Sequence, residues 1–224
     1  MRSYEEIYNL AAKRKGGAKA LDALLATTKP KSKRALSAVG DDRCLAEMTR
    51  AVFQAGFNWT VINTKWNGFE EAFEGFDPHR WAMMSDEDLD RLVKDTRIVR
   101  NAQKIKSVAG NAAFVLDLAQ EYGSAGKAFA TWPQDDYAGL ITLMNKKGSR
   151  LGGATAQYFL RRLGRDGFVL SKDVAARLIA EGVVDKPPTS ARAMQSVQAA
   201  FNDWAKESGR TLTQISRTLA FSIG

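Results

Sequence analysis

Residues 53–59, Phe53-Gln54-Ala55-Gly56-Phe57-Asn58-Trp59, set a glycine among large aromatics in an apolar stretch that continues through Trp66, Phe69, Phe73 and Phe76. Glycine lets a ligand or another backbone approach closely and tryptophan offers a stacking face, so the pattern suits a pocket for a flat ring. An aromatic core helix would leave the same trace. A second chemical signal lies at Lys146-Lys147-Gly148-Ser149-Arg150-Leu151-Gly152-Gly153-Ala154-Thr155. Helix, glycine turn and helix in succession present the free amides of a helix start to a phosphate oxygen; an ordinary inter-helix turn is the alternative. Two carboxylates stand near these signals. Glu47 lies on the helical face that leads into the aromatic run, and Asp173 follows Ser171 at the start of a later helix, where Ser171 is a natural N-cap and Asp173 a first-turn acid complementing the dipole.

The elements that must position these residues are helices almost throughout. Apolar residues recur at helical spacing over residues 4–25, interrupted at Gly16-Gly17, and residues 27–40, with Pro30 and four basic residues, read as a linker with at most one helical turn. One or two helices are expected over 43–66 around Gly56, a short one over 70–74, and one from the Ser85 N-cap to Lys94. Further helices are predicted over 98–122, 125–130, 136–145, 154–163, 172–181, 191–208 and 213–221. No alternating strand pattern is present, and the fold class is all-α.

Composition narrows the class of partner. With 224 residues and 45% apolar content the chain can bury one large core or two modest lobes. A single cysteine, Cys44, excludes an internal disulfide framework, and neither a signal peptide nor a membrane-length apolar run is present, which predicts a cytoplasmic protein. The net charge of +8 is unevenly spread: residues 1–40 hold nine Lys/Arg against three acids, and residues 146–177 hold eight against two. Two basic patches flanking an aromatic centre suit a protein that grips a duplex around one nucleotide, although solvated helix faces would also be basic.

The Gln54-Ala55-Gly56 run ending at Trp59 resembles the signature of the 3-methyladenine DNA glycosylase I family. The resemblance continues through Phe73, Phe76-Asp77-Pro78, Asp86-Glu87-Asp88, Ile98-Val99-Arg100-Asn101, Lys104-Ile105 and Gly110-Asn111-Ala112, and resumes at Lys146-Lys147-Gly148, Gly153, Thr155 and Tyr158. It implies a two-lobed helix-hairpin-helix DNA glycosylase fold with the base pocket between lobes. The implied division is a basic amino-terminal arm and linker (1–40), a glycosylase core (41–185) with the hairpin near 146–164, and carboxy-terminal helices (186–224) packing on the core.

What the resemblance implies for function is a monofunctional DNA glycosylase of base excision repair, a monomer that hydrolyses the N-glycosidic bond of an alkylated purine in double-stranded DNA without cofactor or metal. An N3-alkylated adenine is cationic and leaves readily, so flipping and stacking carry most of the work. Trp59 is expected to stack on the base, with Phe53, Trp66 and Tyr158 as walls, and Gln54 and Asn58 pairing with base edges. Lys146, Lys147, Arg150, Gly152, Gly153 and Thr155 are the expected DNA contacts. Ala154 stands where strand-cutting relatives in the superfamily carry a lysine, so water is the nucleophile. Three departures matter. The family's base-recognising glutamate, three residues before its Gln, is here Ala51, leaving Glu47 or Asp173 as the catalytic carboxylate. Arg150 replaces the first hairpin glycine and would have to take a conformation that glycine adopts freely. The family's zinc site of two Cys and two His cannot form from Cys44 and His79 alone. A catalytically weak or inactive damaged-DNA recognition module of the same fold is the alternative.

Overall fold

The computed structural model describes Met1–Ile223, and every regular element among these residues is a helix. Local chemistry sets most boundaries. Gly16 and Gly17 take φ of +87° and +103° and separate Tyr4–Arg14 from Ala18–Ala26. Ser85 caps Asp86–Leu92 in a capping box with Asp88. The helix predicted from Ile98 begins instead at Ala102, because the Asn101 side chain accepts the Lys104 N–H at 3.1 Å and so becomes the N-cap of Ala102–Tyr122. Sequence periodicity gave no sign of Pro78–Ala82, which has five residues, Asp77 as its cap and a proline in its first turn.

Contacts group the chain into two compact units that redraw the linear division at residues 40 and 185. One unit gathers Ser32–Trp132 and Leu143–Leu163; the other gathers Met1–Lys31, Pro133–Thr142 and the chain from Gly164 onward.

The first unit is built on the long helix Ala102–Tyr122, against which Asp41–Gln54, Pro78–Ala82 and Ala125–Thr131 pack. Ala125–Thr131 also lies on Lys33–Ser37. This approach requires Gly126, since a Cβ there would come within 2.4 Å of the Val39 carbonyl oxygen. The core is largely aromatic: Trp66 and Phe76 stack at 5.7 Å and 3°, Phe73 and Phe76 at 5.1 Å, and Phe53 meets Phe69 edge-on at 4.7 Å.

In the second unit the amino-terminal segment is folded. Tyr4–Arg14 packs on Leu212–Phe221, the Tyr4 hydroxyl lies 3.0 Å from Thr218 Oγ1, and the Glu207 carboxylate accepts the Tyr4 N–H. Trp204 Nε1 donates to the Arg2 carbonyl at 3.1 Å. Two residues of the predicted basic patch are buried here, Arg165 and Arg177, at 7% exposure each. Arg177 donates to Glu181, and through Nε and Nη2 to Ser222, so it supports the fold and offers no surface to a polyanion.

Candidate functional site

The aromatic signature becomes an exposed loop between two helices. Asp41–Gln54 ends at Ala55, whose backbone is extended, and Gly56 takes φ +74°, which turns the chain back. Asn58 then accepts the Thr60 N–H at 2.8 Å and starts Trp59–Thr64. The turn leaves Phe57, Trp59 and Val61 at 41%, 44% and 43% exposure. Trp59 is nonetheless fixed in direction. Its ring meets Tyr158 edge-on at 5.2 Å and 88°, and the Arg162 guanidinium lies over it at 5.9 Å. An indole fixed in this way with much of its surface open can receive a flat ring.

Behind Trp59 lies a polar network that sequence reasoning missed. Arg162 Nε is 3.2 Å from Glu47 Oε2, Arg50 Nη1 is 3.2 Å from Glu47 Oε1, and Arg162 Nη2 donates to Gln54 Oε1. Gln54 Nε2 donates to Asn63 Oδ1 at 3.0 Å. Gln54 is 2% exposed and has both ends of its amide engaged, so the expected pairing with a base edge is corrected: it braces the loop. Asn58 likewise spends its side-chain oxygen on the cap. Burial pulls the Arg162 guanidinium below its ordinary value, opposed by the Glu47 charge and reinforced by that of Arg50, and it remains a cation at neutral pH.

The wall assignments divide in the same way. Tyr158 borders Trp59, whereas Phe53 is fully buried and Trp66 is 8% exposed. Trp66 stacks on Phe69 and Phe76, carries the Arg50 guanidinium over its ring at 3.9 Å and donates from Nε1 to Glu70. These two rings belong to the core beneath the loop and line no open surface.

Lys104, buried at 4% exposure, fastens the loop from below. Its ammonium donates to the carbonyls of Phe53 at 3.0 Å and Ala55 at 2.6 Å, at the end of Asp41–Gln54, and lies 4.3 Å from the Phe57 ring centroid. Burial, with the Arg150 charge added, lowers its pKa to about 8. The sign for stability follows from linkage. The unfolded chain holds this proton up to about pH 10.4, so charging Lys104 opposes folding below about pH 8 and that opposition is relieved between the two values. A lysine Cε resonance titrating near pH 8, with a urea midpoint that gains over pH 8–10 in wild type and not in Lys104→Met, is the expected result.

The glycine turn forms a hairpin. Lys146 and Lys147 end Tyr137–Lys147 and are exposed. The Asn111 side chain accepts the Ser149 N–H at 2.8 Å and donates to the Ser149 carbonyl at 3.1 Å, clamping the turn to the long helix. Arg150 does take a left-handed φ of +60°, at a strain of roughly 1 kcal/mol, while its guanidinium donates to Gln103 at 3.1 Å. Gly152 and Gly153 are exposed, and a Cβ on either would meet nothing within 4 Å. Ala154–Leu163 starts immediately after them, and Thr155 in its first turn donates its N–H to the Gly152 carbonyl at 3.2 Å; a helix start is the end that attracts a phosphate.

Asp173 lies in the other unit, exposed in the first turn of Lys172–Ala180, where Ser171 is the cap. His79 is an exposed residue at a helix start and Cys44 is buried. Among the described residues no group of three His, Cys, Asp or Glu could hold a metal ion, and no helix is long and apolar enough to cross a membrane. Of the residues that sequence reasoning missed, Lys104 and Asn111 sat inside the recognised runs, and only their partners reveal their tasks.

The family model for methyladenine glycosylase matches residues 36–174. DNA-3-methyladenine glycosylase 1 of Escherichia coli (strain K12) is 39% identical over 67 residues, 30% of this chain and 36% of that protein. The chain thus spans about a third of the length of the curated relatives it matches. The solved 3-methyladenine DNA glycosylase I of Staphylococcus aureus aligns with a TM-score of 0.50 at 26% identity, covering 56% of this chain and 77% of that one. The 8-oxoguanine glycosylase/lyase of Methanocaldococcus jannaschii, solved with DNA containing 8-oxoguanine, has a TM-score of 0.53 over 96% of both chains at 12% identity, a likeness of fold alone. The fold is that of an all-α DNA glycosylase.

Proposed function

Because the chain belongs to the methyladenine glycosylase family, its model matching well over half the residues, we propose that it is a monofunctional DNA glycosylase that removes an alkylated purine from duplex DNA. The observation that carries this reading is Trp59, exposed at 44% yet held edge-on by Tyr158, on the same unit as a hairpin whose open glycines lead into a helix start. The hairpin and Lys146, Lys147 and Arg150 hold the phosphates, and the flipped base stacks on Trp59. As the glycosidic bond breaks, the sugar gains positive charge and water adds to it. Glu47 and Asp173 remain the carboxylates proposed to offset that charge or orient the water, Glu47 acting from within its arginine pairs. We place the protein in the cytoplasm as a monomer working without metal or cofactor.

The test is free base, detected by mass spectrometry, from duplexes carrying N-methylated, exocyclic-adduct or undamaged purines, against an enzyme-free blank for spontaneous loss. Release above the blank from any alkylated duplex is expected, and none from the undamaged one. Blank-level release from all of them would reject the enzyme. One observation favours a second reading: Ala51 lacks the carboxylate that the family resemblance implies there, and Glu47 is tied to two arginines. Tight binding to a duplex with an abasic analogue, without base release, would identify a recognition module.

A further inference from the structure

The charges around Trp59 are arranged against a cationic guest. The carboxylate of the network, Glu47, is already shared by Arg50 and Arg162 at 3.2 Å each. The Arg162 guanidinium lies 5.9 Å from the Trp59 ring centroid, so a cationic base on that ring meets a fixed cation beside it. The Lys104 ammonium sits at the neighbouring Phe57 ring, with Arg150 close enough to disfavour its charge. Position 51, one helical turn from Glu47, supplies no second carboxylate because it is alanine. A base entering here meets a surplus of positive charge.

We propose that Arg162 makes this site selective for alkylated purines that are neutral in DNA, such as exocyclic etheno adducts, over N-methylated purines that are cationic there. The proposal rests on the glycosylase reading and narrows its substrate. Its chemistry is consistent with the same residue. When a neutral purine departs, the C1′–N bond breaks heterolytically and the electron pair stays on the base, which becomes anionic until a proton reaches it. Water adds to C1′ and its proton ends on the base. A fixed guanidinium beside the ring stabilises that developing negative charge, whereas a cationic purine leaves neutral and gains nothing from it.

Binding tests the selection without needing bond cleavage. Two duplexes are compared: one with 7-methylguanine on a 2′-fluoro sugar that blocks hydrolysis, which is cationic, and one with its carbon isostere 7-methyl-7-deazaguanine on the same sugar, which is neutral. Wild type is expected to bind the neutral duplex at least about tenfold more tightly. Arg162→Gln should reduce that gap to about twofold, since one cation is removed, and Arg162→Lys should keep it. Circular dichroism confirms that each variant is folded. Equal or tighter binding of the cationic duplex by wild type, an unchanged gap in Arg162→Gln, or no preference for either lesion over undamaged DNA would each overturn the proposal. Selective binding with no base released from any lesion would leave the proposal standing and reject the enzyme reading instead.

Discussion

Replacing Trp59 with alanine is expected to lower single-turnover base release by about 10- to 100-fold while the protein stays folded. The magnitude is that of stacking one base on one aromatic face, roughly 1–3 kcal/mol. The fold survives because Trp59 is 44% exposed and its main protein contacts are the Tyr158 edge and the Arg162 cation, so little core volume is lost. Trp59→Phe should recover part of the rate, since a smaller ring still stacks. Quench-flow or manual single-turnover assays on the best substrate found, with thermal melts as the folding control, give the answer. Full activity in the alanine variant would remove Trp59 from the site.

The largest stability effect is expected at Arg177. Glu181 is 6% exposed and is paired with Arg177 Nη1 at 3.1 Å and with both the N–H and the guanidinium of Arg2 at 2.8 Å. Burial raises the Glu181 pKa, and the bonds from Arg2 and Arg177 outweigh burial and hold the carboxyl below its ordinary range. Arg177→Met removes one partner of a buried charge and strands the Ser222 acceptors, for which about 3 kcal/mol is the expected loss at pH 7. The pH dependence has a definite sign. A depressed carboxylate contributes its stability above the unfolded pKa, near pH 4.3, and loses it as pH falls through the folded value. The deficit of the variant should therefore be larger at pH 7 than at pH 4 in urea titrations. An equal deficit at both would mean that packing, not the ion pair, carries the effect.

Much of this protein was legible before any coordinates. Ser85 with Asp88, Gly16-Gly17 and the Lys172–Ala180 start behind Ser171 mark helix ends whose hydrogen bonds are local, so their chemistry is complete within a few residues. The recognised runs around Trp59, Ile98-Val99-Arg100-Asn101 and Thr155 carried the family and with it the fold. The short Pro78–Ala82 helix escaped because five residues carry too little periodicity. The grouping of residues 1–31 with the carboxy-terminal helices escaped because contacts such as Tyr4 with Thr218 span more than two hundred positions.

At the site, the residue types could be read from the chain alone: an aromatic loop with a glycine, a glycine hairpin, one glutamate on the preceding helix and alanine at position 51. What surrounds each of them came from the packing of distant helices. Phe53, Trp66 and Trp59 are alike as aromatics, but two are sealed in the core and one is open, because exposure depends on which elements cover a ring and not on the ring. Gln54 and Arg162 are more than a hundred positions apart, yet their hydrogen bond turns a candidate reader into a brace and sets a cation over Trp59. Charge acts through space. The sign of the field around Trp59 therefore depends on which helices meet there, information held in no single stretch of the chain.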